Sequence, residues 1–255
     1  MPMKLHVLPA GRLRMRESIF RPEAPREALI DLPVGAFLIR HPQGNLLFDT
    51  GCHPSVVSDA VARWGGLAKL MVPILTAAEA LPASLAATGL APEDIDLVVC
   101  SHLHPDHCGC NGLFRRATLI CHEAERAAAA APGAGAQGYV PADWDQRLAV
   151  RTIAGQHDVF GDGSVTLLPM PGHTPGMICA HVALARDGAF LLASDAVSLR
   201  AHLERDITPR NTWNPDLSHA SMAEIRRLAA AGTRVVCGHD AAEWDTLRKG
   251  AAFYA

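Results

Sequence analysis

At 255 residues the chain can bury a substantial core but falls short of two average domains, so one α/β domain over residues 1–255 is expected. Apolar residues make up 49% of it and the net charge is −3, a balance that argues against nucleic acid or another acidic polymer as partner. No apolar run reaches the ~20 residues that cross a bilayer; the stretch from Leu67 to Leu75 is cut by Lys69 and Pro73 and followed by Glu79, so no membrane partner is expected.

The first eight residues are too short an apolar run for a secretory signal and lead into Arg12, Arg14 and Arg16 without a cleavage pattern, which points to the cytoplasm. Residues 35–40 and 45–49 read as two strands of a hairpin joined by His41-Pro42-Gln43-Gly44, the second ending at Asp49-Thr50-Gly51. A helix is expected over 54–63. Residues 95–100 then form a short buried strand that runs into Ser101-His102. A strand over 117–121, an alanine-rich helix over 123–131 and a loop over 133–138 follow. Strands are expected at 165–168, 178–184 and 189–193, with Arg186-Asp187-Gly188 turning the last two into a hairpin that delivers Asp195 at its end. Leu217, Ser221, Ile225 and Leu228 share one helical face, with Asn214 or Asp216 as cap and Gly232 as stop. The last strand, 235–237, ends at Gly238-His239. These elements predict two mixed sheets packed face to face with helices outside.

His102-Leu103-His104-Pro105-Asp106-His107 places three imidazoles and a carboxylate within six residues at a strand end. Imidazole nitrogen and carboxylate oxygen are the donors that borderline-soft divalent metals prefer, and this set exceeds the needs of one catalytic ion with an open position. Gly172-His173 and Gly238-His239 also follow apolar strands, as does Asp195. The glycines let the backbone bend so that neighbouring side chains can converge. His6, His41, His53, His122, His157, His181, His202 and His219 are assigned no special role. The seven cysteines, odd in number and without CxxC spacing, read as reduced packing residues, Cys108 and Cys110 included.

In these residues the chain resembles the metallo-β-lactamase superfamily: its HxHxDH motif, a later lone histidine, a bridging aspartate and a final histidine all have counterparts, and the likeness spans nearly the whole chain. The resemblance implies an αββα sandwich. It also implies that His102, His104 and His173 hold one metal ion and Asp106, His107 and His239 a second, with Asp195 and a hydroxide bridging both. Asp49 would support the metal loops without binding. Zinc is the first expectation, with manganese, iron and cobalt as alternatives.

Residues 101–112, Gly238-His239-Asp240 and Phe160-Gly161-Asp162-Gly163-Ser164-Val165 are similar to those of N-acyl-homoserine lactonases. That likeness implies a quorum-quenching hydrolase that opens a lactone ring, N-acyl-homoserine lactone before others, by hydroxide attack; Asp106 is the candidate proton shuttle, with a purely structural ligand role as the alternative. Other lactones of pyridoxolactone type, esters, thioesters and phosphotriesters are the alternative substrates, and a di-iron redox protein or a non-catalytic metal-binding protein is the reading from another class. Where those lactonases commonly carry a tyrosine three residues after the bridging aspartate, this chain has Ser198, a hydroxyl of shorter reach. Trp64, Leu67, Leu70 and Met71 are candidates for an apolar trough, and residues 207–213 for a capping loop in which Arg210 meets an anionic substrate. Oligomeric state is not legible.

Overall fold

A computed structural model describes residues 2–255. Strand β1 (Lys4–Arg16) pairs antiparallel with β2 (Leu29–His41), which turns through Pro42 and Gln43 into β3 (Gly44–Phe48). The chain continues through α1 (Val56–Trp64), β4 (Val72–Pro73), α2 (Leu81–Ala86), β5 (Leu97–Val99), α3 (Pro105–Cys108), β6 (Thr118–His122), α4 (Glu123–Ala130), α5 (Pro141–Trp144) and β7 (Ala149–Ile153). Its strands form a seven-stranded sheet in the order β4-β1-β2-β3-β5-β6-β7, parallel from β3 to β7 and antiparallel before it.

The second half adds β8 (His157–Asp158), β9 (Val165–Pro169), β10 (Ile178–Leu184), β11 (Gly188–Ser194), α6 (Arg200–Arg205), α7 (Pro215–Ala230), β12 (Arg234–Cys237) and α8 (Ala241–Thr246). Its sheet runs β12-β11-β10-β9-β8, with one parallel pair, β11 and β12. Among the described residues, no helix is long and apolar enough to cross a membrane.

Strand alternation sorts the side chains into layers. Phe37, Ile39, Leu46 and Phe48 of the first sheet meet Ile178, Ala180, Phe190 and Leu192 of the second in the central core. The opposite face of the first sheet (Leu32, Val34, Leu38, Leu47) lies under α1 and α2 through Val56, Trp64, Leu81 and Leu85. The opposite face of the second (Cys179, Leu191, Ala193) lies under Met222 and Ile225 of α7. Helix, sheet, sheet and helix therefore stack as the αββα sandwich. Strands buried on both faces read as continuous apolar runs rather than alternating ones, which is why they stood out in the sequence.

Asn214 caps α7 as expected, its side chain accepting from the Leu217 N–H at 3.1 Å. Of the expected face Ser221 and Ile225 are buried, with Ser218 and Met222 beside them, while Leu217 in the first turn is 38% exposed. Four strands, β1, β4, β7 and β8, have no counterpart in the sequence expectations; β1 is thirteen residues long. Its apolar Leu13 and Met15 alternate with Arg12, Arg14 and Arg16, but a register shift between Pro9 and Gly11 breaks the pattern midway. All seven cysteines are buried and free.

Candidate metal centre

Parallel strands β3 and β5 stop side by side, and Asp49 binds the start of the motif loop: its Oδ1 accepts the Ser101 N–H at 2.7 Å and its Oδ2 the Ser101 hydroxyl at 2.8 Å. His104 then caps the four-residue α3, with Pro105 in its first position, so Asp106 and His107 follow in one turn. His173 comes from the loop after β9, Asp195 from the end of β11 and His239 from the end of β12.

These seven side chains converge. His104 Nδ1 lies 3.1 Å from His102 Nε2 and 3.0 Å from His173 Nε2. Asp106 Oδ2 lies 3.5 Å from His107 Nε2 and 3.7 Å from His239 Nε2. Asp195 faces both sets, with Oδ2 at 3.3 Å from His173 Nε2 and Oδ1 at 2.9 Å from His239 Nε2. Three donor groups result: His102, His104 and His173; His102, His107 and Asp195; Asp106, His107 and His239. Within each, the donor atoms lie within 4.8 Å of one another. None of the eight histidines set aside in the sequence belongs to them.

In four of the five histidines the nitrogen facing away from the centre has a partner, which fixes ring orientation and turns the other nitrogen to the centre. His107 Nδ1–H donates to Asp49 Oδ2 at 2.9 Å, His239 Nδ1–H to the Pro33 carbonyl at 2.9 Å, and His104 Nε2–H to the Gln137 carbonyl at 2.9 Å. His102 Nδ1 sits 3.0 Å from the Ser101 hydroxyl. Asp49 and Ser194 carry strained positive φ angles of 60° and 46°. Gly238 is obligatory, since a Cβ there would fall 2.7 Å from the Ser194 carbonyl and 2.8 Å from Asp195 Oδ1.

Electrostatics separates the imidazoles. Burial pushes His102 and His104 below the ordinary histidine value and His173 down to about 4, so all three are neutral near pH 7. Burial also opposes charge on His107 and His239, yet nearby carboxylates outweigh it: Asp106 and Asp49 lift His107 well above its usual value, and Asp195 lifts His239. Burial would raise Asp106 and Asp195 as well, but the facing histidines hold both below the usual carboxylate range. Among the described residues, the buried His107 Nε2 and Asp195 Oδ1 have no hydrogen-bond partner. Imidazole nitrogens and carboxylate oxygens crowded this closely, two of them buried without a hydrogen bond, are what a cation would satisfy, so the residues fit divalent metal.

A cleft of about 340 Å³ opens on His104 and His173. Leu67, Leu70 and Met71 line it as expected, as do Arg210 to Trp213 of the anticipated capping loop. Trp64 does not: it is buried in the core, its indole N–H donating to Asp143 Oδ2 at 3.2 Å. Ser198 lies outside the lining, 1% exposed, with its hydroxyl unpartnered among the described residues and its carbonyl accepting the His239 N–H at 2.8 Å. Tyr139 does reach the cleft, its ring centroid 5.1 Å from that of His104 and its hydroxyl donating to Glu125. Burial and that carboxylate push its phenol up, keeping it protonated. Ser101, Ser194, Gln137 and Glu125 were missed in the sequence; the two serines adjoin motif residues, whereas Gln137 acts through its main chain and leaves no side-chain signal.

Two layered sheets whose strand ends pool five histidines and two aspartates define a metal-site hydrolase-type sandwich. The chain belongs to the metallo-beta-lactamase superfamily, whose profile matches residues 29–239. It is 32% identical over 260 residues to N-acyl homoserine lactonase AttM of Azorhizobium caulinodans, covering 99% of this chain and 98% of the relative. To N-acyl homoserine lactonase AiiB of Agrobacterium fabrum it is 33% identical over 267 residues, covering 96% of each. A solved N-acyl homoserine lactone hydrolase, with the product N-hexanoyl-L-homoserine at its catalytic metal centre, superposes over 100% of both chains with a TM-score of 0.90 at 26% identity.

Proposed function

We propose that this protein hydrolyses the lactone ring of N-acyl homoserine lactones, a quorum-quenching activity, with residues 1–255 acting as one domain. His102, His104 and His173 would hold one divalent ion, Asp106, His107 and His239 the other, and Asp195 both, with zinc as the first candidate. The observation that carries this reading is the convergence of seven donors, six of them buried and two of their atoms unpartnered, at the foot of an apolar cleft. The names of relatives that match along almost the whole chain supply the substrate class.

When bound, two such ions supply Lewis acidity, which activates water near neutral pH and polarises a carbonyl. The chain's own groups do the rest. Leu67, Leu70 and Met71 take the acyl chain and exclude water from it. Asp106 Oδ2, within 3.7 Å of His239 and facing the centre, takes the proton released in attack and returns it to the ring oxygen that leaves. Ser198 stands where the resembling lactonases carry tyrosine, but its hydroxyl is buried outside the cleft lining, so the proton transfer rests on Asp106. Seven free, buried cysteines suit a reducing compartment, which supports the cytoplasm as the place of work.

The test is hydrolysis of butanoyl-, hexanoyl- and decanoyl-homoserine lactone beside an aromatic lactone, followed by pH-stat, with metal content measured on the same sample. Opening of the acyl-homoserine lactones with about two ions per chain supports the reading. Two ions with turnover of only the aromatic lactone move the substrate, and absence of bound metal overturns the assignment.

A further inference from the structure

Asp49 holds His107 directly and reaches the other half only through Ser101, whose hydroxyl adjoins His102 Nδ1; it makes no bond to His104 or to the His173 turn. A second buried carboxylate stands on that other side. Glu125, in the first turn of α4 and 0% exposed, accepts three hydrogen bonds. Its Oε1 takes the Leu103 N–H at 3.0 Å and the Tyr139 hydroxyl at 3.0 Å, and its Oε2 takes the Gly176 N–H at 3.0 Å.

Each donor belongs to a different segment around the same histidines. Leu103 separates His102 from His104, Gly176 ends the turn that begins at His173, and Tyr139 packs its ring beside His104. The His173 turn lies directly on the start of α4, because a Cβ on Gly176 would fall 2.2 Å from the Glu125 nitrogen. One carboxylate thus joins three stretches far apart in sequence, and His104 Nδ1 and His173 Nε2 face each other at 3.0 Å.

We propose that Glu125 is a positioning residue for the His102, His104 and His173 half of the centre, setting the affinity of that half for its ion without touching ion or substrate. The inference rests on the metal assignment above. The donor count explains why the residue is glutamate. Glutamine keeps one acceptor oxygen, so its amide nitrogen must face either the Leu103 or the Gly176 N–H, donor against donor. Removing partners of this kind typically weakens metal binding about 10- to 100-fold.

The experiment is zinc binding against a chromophoric chelator, without substrate, for the wild type, Glu125→Gln and Tyr139→Phe. Glu125→Gln is repeated in two backgrounds: His239→Ala, which disables the other half, and His104→Ala, which disables this one. We expect Glu125→Gln to weaken one of two ions about 10- to 100-fold, to do the same in His239→Ala, and to change nothing in His104→Ala. Tyr139→Phe, which removes one donor of three and preserves packing, shifts the same ion by less. Excess zinc restores lactone turnover in Glu125→Gln, as a positioning role requires. Equal weakening in both backgrounds, or none in either, overturns the proposal while leaving the two-ion reading intact. A wild type that binds no zinc overturns both.

Discussion

The His107 half of the centre and the His104 half use the same kinds of side chain but rest on different supports. His107 turns its outer nitrogen to the carboxylate of Asp49, whereas His104 turns its own to the main-chain carbonyl of Gln137. Carboxylates around His107 and His239 outweigh burial and favour protonated rings; around His102, His104 and His173 burial prevails and the rings are neutral. One half is therefore an ion-pair network that a metal must take over from protons. The other is an array of lone pairs already in place.

The largest effect should come from the residue both halves share. Asp195→Ala removes the carboxylate whose oxygens face His173 and His239, so lactone opening should fall to the buffer background and metal content below two ions per chain, read by pH-stat and elemental analysis. Full activity in that variant would dissolve the centre as described. Asp49→Asn comes next and falls mainly on the His107 side, which it bonds directly and not through Ser101, because the amide cannot accept from Ser101 and His107 as the carboxylate does. One ion should bind about 10- to 100-fold more weakly in a chelator titration. Equal loss of both ions would erase the distinction between the halves.

Proton release sharpens the comparison further. In the metal-free chain the raised His107 and His239 hold protons to higher pH than an ordinary histidine, and an incoming ion displaces them. Apparent affinity of that half should climb about tenfold per pH unit for each proton displaced, at pH below the raised values. His102, His104 and His173 are all lowered, so the other half should depend on pH less near neutrality. Calorimetric titration in buffers of different ionisation enthalpy separates the two; matching proton release from both ions would contradict it. The smallest effect belongs to the cleft wall. Leu70, 60% exposed, offers only part of its side chain, so Leu70→Ala should lower kcat/KM for the decanoyl substrate relative to the butanoyl one by about three- to tenfold. An equal fall for both would place the acyl chain elsewhere.

Much of this was legible in the chain itself, and unevenly so. The central strands β2, β3, β5, β6, β9, β10, β11 and β12 announced themselves through their apolar runs, and the ligand set because histidine and aspartate rarely cluster without a cation to share. β1 was lost where its register shifts, and β7 because most of its side chains are exposed. Supports that act through main chain or across long separations were invisible. Gln137 contributes only a carbonyl, and Glu125 sits in an alanine-rich helix whose acids look like solvated surface until Leu103, Tyr139 and Gly176 are seen around it. The eight other histidines were set aside in the sequence, and the donor groups leave them out.

His102 to His107 hang from the seven-stranded sheet, while His173, Asp195 and His239 hang from the five-stranded one. A cation gripped by both is a rivet through two plates, and no such grip exists in an unfolded chain. At free ion about 100 times its dissociation constant the rivet is worth about 2.7 kcal/mol. Resistance to heat should then follow the ion supply, and a cell starved of metal would forfeit the protein itself along with its turnover.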